Sequence, residues 1–335
     1  MRSTVTVAAL LFAFSVAAQQ PAEKPAPPVT ISGLMFGDYY YMARSHRADV
    51  EGKNGFWIRR AYLTFDKDLG DDFSARLRFE VNQPGDFTTN STLQPFVKDA
   101  WVKWKRSPAL EITAGLSPTP TWETVERVWG YRPVERTPGD FYRLGASREL
   151  GIGLAGALDA RKRLRYHFTF GNGAGAGTET NEGKKAALAV SFAPTSETIF
   201  EAYGDREDRP GATDRTLLQA FGAVQKKGFR AGVQYMHQIR QGGPTIDVGS
   251  VFAVKNLRDD LAVLARVDRL FDPLPDGETT PYHPLSNRSE ATLFIAGVDW
   301  KIHRYVSVIP NLEVVTYDED VEIDVVPRLT FSLVF

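Results

Sequence analysis

The stretch DFSARLRFEVN, residues 72–82, decides the fold. Phe73, Ala75, Leu77, Phe79 and Val81 lie on one face, while Ser74, Arg76, Arg78, Glu80 and Asn82 lie on the other. A helix would scatter these charges around its circumference, whereas a strand separates them cleanly. The same period of two continues in both directions. It predicts strands at about 30–41, 55–67, 72–82, 96–106, 109–117, 148–158, 162–171, 184–193, 197–204, 216–226, 228–238, 246–256, 260–270, 289–301, 304–317 and 321–335. In the last of these, Val321, Ile323, Val325, Pro327, Leu329, Phe331, Leu333 and Phe335 face one way, and Glu322, Asp324, Arg328, Thr330 and Ser332 the other. Most of these segments run about nine to thirteen residues, the length that crosses a bilayer at a tilt.

The connections alternate in length. Short ones, such as 68–72, 106–109, 159–162, 194–197, 226–228, 256–260 and 301–304, take turns with long ones at 42–54, 83–95, 118–147, 172–183, 205–215, 239–245 and 271–288. A soluble sandwich has no reason to sort its loops in this way. An outer-membrane barrel does, with short periplasmic turns and long outer loops. The expected fold is therefore all-β: a transmembrane antiparallel β-barrel of about 16 strands, spanning residues 30–335. Lipid supplies no partners for backbone polar groups, so the sheet must close on itself. Apolar side chains then face lipid and polar ones a wet lumen, which is compatible with a mean hydropathy of −0.26. Pro310 and Pro327 fall inside expected strands, where each removes a ladder donor, and call for bulges or different strand ends. Segments 246–256 and 289–301 alternate poorly.

Composition narrows the function. Net charge is −1, which gives no overall attraction to nucleic acid. The absence of cysteine excludes disulfides, thiolate catalysis and an acylated N-terminal cysteine. Residues 1–18 read as a signal peptide, with Arg2 in the positive region, an apolar run from Val5 to Val16, and small residues at Ala17 and Ala18. Residues 19–29 form a proline-rich linker. Export and the barrel pattern together place the chain in a bacterial outer membrane, in contact with its lipids.

Residues 118–147 stand apart. With their neighbours Arg148 and Glu149 they carry five arginines (Arg127, Arg132, Arg136, Arg143 and Arg148) and five acids (Glu123, Glu126, Glu135, Asp140 and Glu149). Trp122, Trp129, Tyr131, Phe141 and Tyr142 give the segment a composition unlike disorder. A structureless loop of this length is uncommon unless it serves a function. It is expected to fold into the lumen as a constriction.

FWIRRAYLTF (56–65), FSARLRFEVN (73–82), FVKDAWVKW (96–104), ITAGLSPTP (112–120), VERTPGDF (134–141) and RELGIGL (148–154) carry a resemblance. Over residues 56–160 the chain resembles the phosphate-selective porin O/P family, and the terminal LTFSLVF is similar to the C-terminal signature of outer-membrane barrels. The resemblance implies a sixteen-stranded homotrimeric porin whose third loop folds inward and is lined by basic residues.

Strand parity points to the same lumen chemistry. Arg60, Arg76, Arg78, Lys103 and Lys105 fall on the lumen side of neighbouring strands as a basic stripe, and Arg163, Arg165, Arg230, Arg266 and Arg328 follow further on. Together with the five loop arginines, the stripe forms the expected pore and anion-binding set. Arginine suits phosphate or carboxylate because its planar fork donates two parallel hydrogen bonds. Arg59 takes lipid parity and must lie at a rim or pair, since a cation at mid-bilayer costs roughly 2–4 kcal/mol. Asp66, Glu80, Asp99, Glu111, Asp268, Glu313, Glu322 and Asp324 share the lumen. Those near the closing seam would oppose the stripe and set up a transverse field.

Other signals are weaker. GIGLAG (151–156) matches a phosphate-loop pattern, but no helix follows it. The five histidines, His46, His167, His237, His283 and His303, show no paired spacing, so neither a metal site nor a cofactor is expected. No nucleophile elbow is present, and no catalytic residues are assigned. The leading reading is a passive channel for small anionic solutes, phosphate among them. Against it stand a barrel with an occluded structural or adhesive lumen and a barrel enzyme.

Overall fold

The computed structural model describes residues 27–335. The expected signal peptide and residues 19–26 of the linker lie outside the described residues. Sixteen antiparallel strands follow in order: β1 (Thr30–Tyr41), β2 (Asn54–Gly70), β3 (Phe73–Asn82), β4 (Gln94–Ser107), β5 (Leu110–Pro118), β6 (Arg148–Ala157), β7 (Leu164–Gly171), β8 (Lys185–Phe192), β9 (Thr198–Glu207), β10 (Arg215–Lys226), β11 (Phe229–Arg240), β12 (Ile246–Arg258), β13 (Leu261–Leu270), β14 (Ala291–His303), β15 (Val306–Tyr317) and β16 (Asp324–Val334). Each pairs with its sequence neighbours, and β16 returns to β1, so the sheet is a closed barrel. The seam runs from Leu34 opposite Val334 to Tyr40 opposite Arg328. Below it, Gly33 and Phe335 exchange backbone hydrogen bonds of 2.8 and 3.0 Å.

Two β-bulges change which side chains enter the barrel. Between Phe36 opposite Arg60 and Gly37 opposite Ile58, the register of β2 gains one residue, Arg59. A bulge places two residues of one strand against one of the other and re-aims their side chains. Arg59 therefore turns inward and pairs with Asp38 at 2.5 Å; it neither faces lipid nor sits at a rim. The second bulge lies between Arg78 opposite Asp99 and Phe79 opposite Val97. It brings Lys98 inward, 3.0 Å from Glu80. Pro310 and Pro327 sit in regular register on β15 and β16, opposite Leu329 and Leu312. Toward β14, pairing lapses between Gly297–Asn311 and Trp300–Val308, around the donor that Pro310 lacks. Glu322 lies in the loop before β16 and not on that strand.

The third outer loop, residues 119–147, is helical in part. In α1 (Glu123–Trp129), Val125, Val128 and Trp129 are buried on one face, and Gly130 ends the helix at φ 67°, a left-handed position suited to glycine. A single turn, α2 (Pro138–Phe141), follows. Trp122, Val125, Val128, Trp129, Val134, Phe141, Tyr142 and Leu144 pack against lumen-facing side chains of β8–β15, among them Leu217, Phe221, Met236, Phe252, Leu264, Leu293 and Ile309. This half of the lumen wall is therefore apolar in large part, with Gln219, Gln234, Gln238, Ser250 and Asn311 buried among the apolar side chains. This accounts for the poor alternation on β12 and β14. On β12, Ile246, Val248, Phe252 and Val254 face the loop, while Val251 is 53% exposed on the outer side. Burying each Val, Leu or Phe side chain contributes roughly 1.5–3 kcal/mol, against about 1–2 kcal/mol per residue for ordering backbone. A long inward loop stays in place only by bringing a core of this kind.

The seventh outer loop, residues 271–290, also folds inward, over the third. Leu274 and Leu285 join the same core. The Tyr282 hydroxyl donates to the carbonyls of Arg59, at 3.2 Å, and Gln83. Arg136 donates to the Pro281 carbonyl at 3.0 Å.

Candidate functional site: a charged lumen beside a packed loop

Where the third and seventh loops meet the seam, a set of charges is fully enclosed. Arg328 reaches Glu135 at 3.1 Å and Glu313 at 2.7 Å, and His283 reaches Glu313 at 2.7 Å. Arg59 holds Asp38 and donates to the Pro133 and Val134 carbonyls. Arg266 pairs with Asp268 at 2.6 Å and donates to the Arg136 carbonyl. Burial opposes ionisation of Glu135, yet the guanidinium groups of Arg136, Arg328 and Arg59 hold it well below the ordinary carboxylate value. These groups fasten the loop to the wall. Glu313 is spent on Arg328 and His283, and Asp324 on His46 at 2.9 Å. The expected acidic wall opposing the basic stripe is therefore absent at the seam.

The other half of the lumen is open and charged. A cavity of about 540 Å³ lies between α1 and the inner faces of β1, β3 and β14–β16. Arg76, Arg78, Arg127, Arg132 and Arg148 line it. A second cavity, of about 560 Å³, lies along β3–β9, with Lys103, Arg127, Arg163, Arg165 and His167 in its wall. The two share Arg76, Pro118, Glu123 and Arg127, and so meet at the exposed edge of α1. A smaller cavity of about 230 Å³ beside the first adds Lys98. Ten arginines and lysines line the three cavities (Arg76, Arg78, Lys98, Lys103, Arg127, Arg132, Arg148, Lys162, Arg163, Arg165) against five carboxylates (Glu111, Glu123, Glu126, Glu201, Asp299). The partners Asp66, Glu80, Asp99, Asp140 and Asp159 lie outside the lining and offset this excess, so it belongs to the cavity surface itself.

Most of the stripe is paired. Arg76 meets Asp66 at 2.7 Å, Arg78 meets Asp99 at 3.2 Å, and Arg148 shares that Asp99. Arg60 pairs with Glu80. Lys103 lies 3.3 Å and Lys105 3.7 Å from Glu111, with Lys105 at the open periplasmic edge. In the loop, Arg132 bridges Glu126 at 2.7 Å and Asp140 at 2.9 Å. Arg136 is buried against Glu135, away from the cavities, and Arg143 donates to Thr279 of the seventh loop at 2.8 Å. Arg127 is exposed, and among the described residues it makes no ion pair. The geometry thus brings Arg76, Arg78, Arg127, Arg132 and Arg148 together, with Lys103 beside them, and leaves Lys105, Arg136 and Arg143 elsewhere. Arg59 and Lys98 were missed from parity. Each belongs to a charged doublet, Arg59-Arg60 and Lys98-Asp99, and two successive charges in an alternating strand are the available sign of a bulge. GIGLAG serves strand packing: a Cβ on Gly151 would strike the Phe170 carbonyl of β7.

Comparison with known proteins agrees with this architecture. Residues 33–124 match the family described as phosphate-selective porin O and P. That match spans β1–β5 and the start of the third loop. No curated protein sequence matches the chain. The barrel is similar to an anion-selective porin from Comamonas acidovorans, at 14% identity and a TM-score of 0.68, covering 92% of this chain and 99% of that one. It is similar to OmpF of Salmonella typhi in complex with daunomycin, at 11% identity and a TM-score of 0.67, covering 92% and 97%. It is also similar to the outer-membrane protein OmpT of Vibrio cholerae, at 12% identity and a TM-score of 0.61, covering 94% and 100%. At these identities the likeness is one of fold, that of a sixteen-stranded porin barrel of the bacterial outer membrane.

Proposed function

We propose that the protein is an outer-membrane porin through which small hydrophilic solutes diffuse, with a preference for anions. The observation that carries the preference is the lining of the open half-lumen: ten cationic side chains against five carboxylates. Fixed charge of one sign along a narrow passage concentrates counter-ions of the other. Arg127, unpaired at the point where the two larger cavities meet, is the side chain best placed to receive a passing anion. Phosphate is one candidate solute, and assembly as a homotrimer accords with the closed symmetry common among such oligomers.

The reversal potential of the purified protein in a planar bilayer, across a potassium chloride gradient, tests this reading. A chloride-preferring potential supports it, and a potassium-preferring one overturns the anion preference. A second reading, a barrel shut by its own loops, draws on the seventh loop packed over the third. Absence of any conductance in the same experiment would favour it.

A further inference from the structure

The periplasmic end of the seam holds an unexpected surface. Leu34 and Val334 form an apolar wall on the first cavity, with Val334 51% exposed, while Ile309, Trp122 and Tyr131 reach the cavity only at their edges and are otherwise buried. A water-filled passage for inorganic ions has no use for such a wall, since exposed apolar surface in contact with water is unfavourable. Across the cavity stand the arginines. Arg76, Arg78 and Arg148 are already occupied by Asp66 and Asp99, whereas Arg127 has its donors free. A phosphate dianion calls for several unpaired donors converging on one point. Here one free guanidinium faces an apolar wall across a space of about 540 Å³, within the size range of small-molecule pockets.

Resting on the porin reading above, we propose that the preferred solutes are organic monocarboxylates with an apolar body, such as aryl carboxylates, rather than inorganic phosphate. The carboxylate lies on Arg127, and the ring or alkyl chain lies against Leu34 and Val334. Aromatic side chains flank both partners: Trp122 in the first cavity, and Trp101 in the second, beneath Arg76 and Lys103 at 5.5 and 5.4 Å.

Block of the chloride current in a planar bilayer tests this on the unaltered protein. Acetate, butyrate, hexanoate, benzoate and phosphate are added in turn. The half-blocking concentration is expected to fall along the alkyl series, with benzoate acting about tenfold below acetate, a difference of about 1.4 kcal/mol, and phosphate the weakest blocker. Leu34→Ser should raise the benzoate value while leaving acetate unchanged, and Arg127→Gln should weaken both. Equal block by acetate and benzoate, or stronger block by phosphate, would overturn the proposal and leave the channel standing. Absence of any conductance would instead overturn the channel reading and this proposal with it.

Discussion

Single residues divide into those that hold the loop and those proposed to meet solute, and substitution should separate the two classes. Replacing Glu135 by Ala leaves Arg136 without its carboxylate and strips Arg59 and Arg328 of a shared partner. Breaking a buried pair in this way costs about 3–5 kcal/mol, so the thermal unfolding midpoint in detergent should fall. The pH dependence follows from the lowered Glu135 value. Its contribution is present above about pH 4.5, the unfolded glutamate value, and is lost as pH falls through the lowered folded value. Arg127 belongs to the other class. Arg127→Glu should move the reversal potential toward potassium and Glu123→Gln toward chloride, both with unfolding temperatures near that of the parent. At this scale the sequence was legible wherever alternation was regular, as for Arg76 and Arg78. It misled at Arg59, where one inserted residue reverses parity, and it could not tell paired from unpaired arginines, because Asp66 and Asp99 lie on neighbouring strands.

Among elements, the third loop behaves as a small domain held inside the barrel. Trp129→Ala removes a buried side chain stacked edge-on against Phe252, with ring centroids 5.2 Å apart. Such truncations cost about 3–5 kcal/mol. The folded barrel should then show greater single-channel conductance and faster proteolysis within 119–147. The seventh loop is latched differently. In the first loop, His46 contacts Asp324 at 2.9 Å and Glu278 at 3.3 Å, with Tyr317 and Arg47 alongside. Burial alone would lower the His46 pKa, but the hydrogen bond and charge of Asp324, with Glu278, outweigh it and raise the value. A raised histidine stabilises fully below its unfolded value, about 6.5, and loses that contribution as pH rises through the folded one. Amide protection in 271–290 should therefore decline from pH 6 to pH 9, and His46→Gln should flatten the profile. The strands were legible because lipid imposes a period of two. The loop's docking site was not, because the core shared with the inward loops makes β12 and β14 apolar on both faces and erases that period.

For the whole molecule, selectivity set by lumen charge should weaken as salt shortens the reach of each cation. The Debye length is about 10 Å at 0.1 M and 3 Å at 1 M. The reversal potential measured at a fixed concentration ratio should therefore fall toward the value for free ions in the more concentrated solutions. Strand number, closure and the sorting of long and short connections followed from the sequence, since a membrane-spanning sheet leaves few alternatives. Asymmetry of the lumen did not, because it depends on which wall the third loop leans against, and that is decided by contacts between residues as distant as Trp129 and Phe252.

The two-sided greasiness of β12 and β14 has a consequence for biogenesis. Until the barrel is complete, these strands have no face suited to water, and the loop that will cover their inner side is tethered at both ends to β5 and β6. Enclosure of that loop must accompany closure of the ring along the seam that ends at the paired hydrogen bonds between Gly33 and Phe335. A chain whose β1–β16 seam fails to pair would linger as a sticky half-cylinder, exposed to proteases for longer than a barrel with a hydrated bore.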